Sequence, residues 1–207
     1  QHVDWKAFEG EAAPHPFDPQ RYINWRFFWD YDGCNVFENM VHQVGFWHKL
    51  MNFKIPDSVT MTGANLLSPK MQVPDTLDVS MLQGKILFTW NSMFGNDFYG
   101  EGHDLLLGNE GTISRNEGDQ IRYQPQGGER RGVDTLCSVS PEGGQEAGYR
   151  DATAEHMQNF FDCMRSRKEP NCSFEIGYRS AIACQMCIAS YHKKRAVRWD
   201  PKTEDIV

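Results

Sequence analysis

Between Ser58 and Gln124 the apolar residues fall on every second position, and short polar or glycine-bearing breaks interrupt the runs. A period of two is the signature of a strand with one face buried. Ser58-Val59-Thr60-Met61-Thr62 is the first such run. Leu77, Val79 and Met81 alternate with Asp78 and Ser80, Gln83-Gly84 makes a turn, and Ile86, Phe88 and Trp90 share one side of the return strand. After a Gly-rich, irregular stretch from Phe94 to His103, Asp104 to Leu107 and Thr112 to Ser114 flank the hairpin signal Gly108-Asn109-Glu110-Gly111. Asn116-Glu117-Gly118 then turns into Gln120 to Gln124. Short strands joined by tight turns make an antiparallel meander.

The segments on either side are helical. From Tyr31 to Met51 the spacing predicts one amphipathic helix opening after Gly33, with Val36, Phe37, Met40, Val41, Val44, Trp47, His48 and Met51 on a broad stripe. Glu38, His42, Gly45 and Lys49 lie on the other side. Glu38 and His42 are one turn apart, so they are neighbours on one face. A carboxylate beside an imidazole is a usable acid/base pair, since the carboxylate can fix the ring. The alternative is an incidental pair on a solvent-facing side. Gly45 weakens the helix and leaves room beside His42. Residues 125–150 are expected to form a long polar loop. A helix then begins near Asp151 or Thr153 with the apolar face Met157, Phe160, Phe161 and Met164. A second, mostly buried helix runs from Ser173 to about Lys193, and Arg195 to Trp199 is a last short strand. The fold class is therefore α+β, a mainly antiparallel sheet with helices packed on one face.

A chain of 207 residues reads as one domain, with an extended arm and aromatic connector at 1–30, a helix at 34–51, a sheet at 57–125 and the two helices and final strand at 151–199. Its net charge of −7 argues against a nucleic-acid partner. No apolar run is long enough for a membrane helix, so no membrane partner is expected. The six cysteines, Cys184-x-x-Cys187 included, read as reduced buried thiols and favour a cytoplasmic setting without fixing it. Histidine and cysteine spacing points to no metal site. The chain opens Gln1-His2-Val3-Asp4, as a fragment or processed product would, so an upstream targeting signal stays open.

Residues 21–33 are crowded with aromatics, interleaved with Arg21, Asn24, Arg26, Asp30 and Asp32. They are either a core-anchoring connector or a wall for a carbohydrate or cofactor, where ring faces stack and polar side chains meet hydroxyls. No G-x-G-x-x-G follows a strand and opens a helix, and no P-loop or nucleophile elbow occurs. The chain shows no dinucleotide site of its own.

Taken together, Asn24-Trp25-Arg26-Phe27-Phe28-Trp29-Asp30-Tyr31, the Gly33-to-His42 helix, the turn Gly108 to Thr112, and the end Cys163 to Lys168, Pro170-Asn171, Glu175 to Ser180 and Trp199 to Thr203 resemble the C-terminal domain of the glucose–fructose oxidoreductase, inositol dehydrogenase and MocA (Gfo/Idh/MocA) family. The resemblance spans nearly the whole chain. It implies an NAD(P)-dependent oxidoreductase acting on a sugar, inositol or related polyol. An N-terminal Rossmann domain, absent from this chain, would bind the cofactor, and the sheet would serve a homo-oligomer. His42 matches the family's catalytic histidine, which shares the hydroxyl proton with a lysine from the other half. Lys168-Glu169-Pro170 is not that lysine's motif. Glu38 stands where many members have Asp, and Gly45 replaces a common Asp. By the same resemblance Trp25 and Arg26 would face nicotinamide and substrate, Asn24, Tyr31 and Asp32 would line the substrate, and Tyr178 and Arg179 would join them. The fragment alone would be inactive. A non-catalytic oligomerisation or binding scaffold, and a family member that uses transient redox chemistry to cleave a glycoside, are the competing expectations.

Overall fold

The computed structural model describes residues 3–68, 70–95, 104–115, 120–127, 135–138 and 153–207. It divides into two compact units, one formed by Gln1–Asn96 with Glu169–Val207 and the other by Asp97–Lys168. The α+β class holds: antiparallel sheets carry most of the strand pairing, and helices cover one face of the larger sheet.

The first unit is built on five antiparallel strands in the order β3-β2-β1-β8-β9, with β1 Ser58–Ala64, β2 Thr76–Gln83, β3 Ile86–Met93, β8 Val197–Asp200 and β9 Asp205–Ile206. The register sets Val59 opposite Met81, Met61 opposite Val79, and Val79 opposite Trp90, so the alternating residues face one side together. Gly84, at φ 58°, makes the tight β2–β3 turn in a conformation that favours glycine. On the inner face lie α3 (Val41–Met51) and α5 (Phe174–Lys193), which bury Val44, Ala183, Cys184, Met186 and Cys187 against Val59, Val79 and Met81. Asn52, left-handed at φ 50°, ends α3, and Lys194 at φ 52° ends α5. Ser190 ties α5 to the sheet by accepting the Met61 N–H at 3.0 Å.

Asp75 fixes the irregular passage between β1 and β2. Its carboxylate is buried and accepts the backbone N–H groups of Leu66, Leu67 and Ser68 at 2.8–3.0 Å, together with the Thr76 hydroxyl. These bonds outweigh the cost of burial and hold the carboxyl below its usual range.

In the second unit β4 (Asp104–Leu107), β5 (Gly111–Arg115), β6 (Gln120–Pro125) and β7 (Thr135–Ser138) pair antiparallel in that order. The Gly108–Gly111 hairpin forms as expected, closed by Gly108 N–H to Gly111 O at 2.9 Å. A Cβ on Gly111 would sit 2.5 Å from Gln124 O and the Tyr123 ring, which explains the glycine. The helix α4 (Thr153–Ser166) matches its expected span. Its apolar face, however, stays exposed: Met157, Phe160, Phe161 and Met164 are 42–53% accessible.

Four expectations are corrected. The strands form two sheets, not one meander: β1–β3 are joined by β8 and β9 from the end of the chain, and β4–β7 pair among themselves. The N-terminal arm is not simply extended: Asp4 caps α1 (Trp5–Glu9), and Asp18 caps α2 (Pro19–Ile23) with proline at its first position. The polar stretch at 125–150 contains β7. The helix before β1 is also not a regular α-helix throughout, as described next. The Phe94–His103 and Asn116–Gly118 stretches fall largely outside the described residues.

Candidate functional site

The helix carrying His42 begins at Cys34, whose backbone sits at φ 57°, a strained conformation for a side chain with a Cβ. Val36–Met40 then form a single π-helical turn, with the Val41 N–H reaching back to Val36 O, before α3 continues. Such turns insert one extra residue and occur often at functional sites. Val36 and Met40 remain in the core on either side of the insertion, so Glu38 and Asn39 are carried outward from the same turn. Asn35, itself buried, anchors the turn to the sheet by donating to the Ser92 hydroxyl and accepting from Asn39.

Glu38 pairs with the Nε of Arg26, from the aromatic connector. The Arg26 guanidinium lies over the Trp25 ring, 4.5 Å from its centroid. Asp32, which precedes the helix, feels both charges. Burial is the largest influence on its carboxyl and raises its pKa, Glu38 adds to the rise, and the Gly33 and Cys34 N–H groups and Arg26 oppose it. One oxygen, Oδ2, is buried with no hydrogen-bond partner among the described residues. The structure thus gathers Trp25, Arg26, Asp32 and Glu38 from positions that the sequence could only list side by side. His42 stands on the next turn, exposed, and its ring makes no hydrogen bond or ion pair among the described residues. The carboxylate four residues before it is turned to Arg26.

The other sequence candidates are placed as follows. Asn24 ends α2 and donates to the Gln20 side chain at 3.0 Å. Tyr31 packs its ring on Phe8 of the arm, centroids 5.2 Å apart, with its hydroxyl buried and unpartnered. Tyr178 stacks on Phe174. Arg179 donates from Nη1 to the Phe53 carbonyl at 3.1 Å and from Nε to Glu175 at 2.6 Å, so it belongs to the far end of α3. α3 runs nine residues from His42 to Met51, about 14 Å along its axis, before the chain reaches Phe53. The room expected beside Gly45 faces α5, where a Cβ would make ordinary contact with the Ser180 Oγ at 3.7 Å.

The second histidine of α3 has a different environment. His48 is 3% exposed, its Nε2 lies 3.2 Å from the Gln83 amide, and its Nδ1 has no partner. Burial first, and the Arg179 charge second, push its pKa down to about 4. It is a neutral core residue at physiological pH.

No family model matches the sequence, and no curated protein sequence does either. Solved structures do match. An oxidoreductase from Agrobacterium radiobacter, determined with NAD+, L-tartaric acid and magnesium, is 15% identical, with 88% of this chain and 53% of that chain covered at a TM-score of 0.60. An aldose-aldose oxidoreductase from Caulobacter crescentus, complexed with glycerol, is 13% identical, covering 94% of this chain and 58% of its own at 0.66. The fold is that of the matching half of these Gfo/Idh/MocA-type oxidoreductases. A UDP-N-acetylglucosamine 3-dehydrogenase from Acidithiobacillus ferrooxidans shares it at 14% identity, 91% and 57% coverage and a TM-score of 0.60. The chain spans a little over half the length of each of these structures. Among the described residues no group of His, Cys, Asp and Glu could hold a metal ion, and no helix is long and apolar enough to cross a membrane.

Proposed function

We propose that this chain is the substrate-binding and proton-transferring half of an NAD(P)-dependent oxidoreductase acting on a sugar, inositol or related polyol. The observation that carries the reading is the grouping of Trp25, Arg26, Asp32 and Glu38 around a π-helical turn that leads directly to an exposed His42. His42 gives or takes the proton of the reacting hydroxyl, a task for which an imidazole is suited near neutral pH. Glu38 holds Arg26 against Trp25, and the three form a wall of charge and ring. Asp32 closes the wall next to the start of the helix, its carboxyl raised by burial and by the Glu38 charge. Asn24 and Tyr31 border this wall, whereas Tyr178 and Arg179 make their contacts with Phe174, Glu175 and Phe53 instead.

The cofactor fits part of this arrangement. Trp25 and Arg26 would hold its nicotinamide end, while nothing among the described residues offers the glycine-rich strand-to-helix turn that a pyrophosphate needs. When bound, NAD(P) supplies the hydride acceptor. A Rossmann domain outside these residues would bind the rest of it, and the chain alone would be inactive. The outer face of β1–β3 would serve a homo-oligomer, and the compartment would be cytoplasmic.

The absence of any Glu38–His42 contact favours a second reading, a scaffold that binds or assembles without catalysis. Transient redox cleavage of a glycoside remains a variant of the first. The test is to join the chain to its natural upstream sequence and follow NAD(P) reduction with a panel of neutral sugars and polyols. Substrate-dependent reduction is expected. No reduction across the panel, or an upstream sequence without a strand, Gly-rich turn and helix, overturns the catalytic reading.

A further inference from the structure

A cavity of about 310 Å³ lies at the end of α3 remote from His42, lined by Lys54, Asp57, Glu175, Arg179 and Trp199 among others. We propose that it binds a neutral sugar ring, at a site separate from the one around His42. Both ends of α3 belong to the same compact unit, and the helix from His42 to Met51 keeps the two places about 14 Å apart along its axis.

The cavity's size, its wall and its spare hydrogen-bonding atoms all suit such a ring. Its volume is at the lower bound for small-molecule sites, about 300 Å³, which suits a single ring. Trp199 provides an aromatic surface for the C–H face of such a ring. The charged residues are two cations and two carboxylates, so the lining has no net charge to favour an ion. Three of the four are already fixed by protein contacts. Asp57 Oδ2 accepts the Gly84 N–H at 2.7 Å, Glu175 Oε1 accepts from Arg179, and Arg179 is held by Phe53 and Glu175. Each keeps one further atom without a partner among the described residues: Asp57 Oδ1, Glu175 Oε2 and Arg179 Nη2. The Lys54 ammonium is likewise unpartnered. The result is two acceptors and two donors, three of them on oriented side chains. A vicinal pair of hydroxyls both donates and accepts, and matches that set better than a carboxylate or an ammonium.

The experiment uses the 207-residue chain labelled at its six tryptophan indoles with ¹⁵N, with the Trp199 signal assigned from Trp199→Phe. Methyl α-glucopyranoside is titrated to 50 mM. The proposal expects a saturable shift confined to Trp199, weakened at least 5-fold in Lys54→Ala and in Glu175→Gln, with glucuronate binding no tighter than the neutral glycoside and cyclohexanol failing to saturate. Lys54 and Glu175 are exposed, so these variants keep the fold. The proposal is overturned by an unmoved Trp199 signal, by a shift that both variants leave intact, or by glucuronate binding 10-fold tighter. It does not depend on the oxidoreductase reading, because no cofactor or upstream half is needed.

Discussion

Two histidines share α3 and live in opposite surroundings. His42 stands exposed on the turn after a π-helical insertion. His48 is enclosed among Val44, Trp47, Phe53, Met81 and Phe88. The same side chain thus meets water at one position and the core at the other. Desolvation penalises the charged imidazole at His48, and the neighbouring Arg179 charge adds to the penalty. A histidine in a sequence carries no function until its face of the helix is known.

The largest effect that sharpens this contrast is on stability. Folded His48 titrates near 4, against 6.5 for an unperturbed imidazole. Between those values the unfolded chain binds a proton that the folded chain refuses, so stability is full above about pH 6.5 and falls as the pH drops toward 4. The gap corresponds to about 3 kcal/mol. Urea unfolding at pH 7 and pH 4.5 should show this loss in the wild type and a smaller one in His48→Leu. An equal loss in both would remove His48 as its source.

A comparable test concerns the buried charge that the fold does satisfy. Asp75→Asn keeps the shape but weakens three N–H contacts, and should cost about 2 kcal/mol at pH 7 in the same unfolding assay. Arg26→Ala, by contrast, removes a mostly exposed partner and should change stability by under about 1 kcal/mol. With the upstream half present, it should still impair substrate-dependent reduction. A stability loss as large as that of Asp75→Asn would make the Arg26–Glu38 pair structural. Smallest of all, Gly45→Ala fits against Ser180 and should raise stability by up to about 1 kcal/mol in thermal unfolding.

Much of this was legible in the sequence because the two periods differ. Alternation marked β1 to β6, and the all-round apolar run marked α5 as buried. Val44 and His48 fell on the stripe that became core, and His42 fell off it. The π-turn was not legible, since one inserted residue inside an apolar stripe changes no residue type. Nor was the Arg26–Glu38 pair, whose members come from different elements and meet only when the connector folds back. The role of Asp75 is not legible because Pro74-Asp75-Thr76 looks like any loop, although an aspartate beside a polar turn is a signal for backbone capping. Lys54, Asp57 and Trp199 share a cavity only through the closure of β8 on β1.

His42→Ala and His48→Leu, compared in the protein that includes the upstream half, separate proton transfer from packing. His42→Ala should lower kcat/KM for polyol oxidation by about 10²–10⁴-fold while leaving the Tm unchanged. His48→Leu should act chiefly on the unfolding curve. A His42→Ala variant that turns over within a few-fold of wild type would contradict the account.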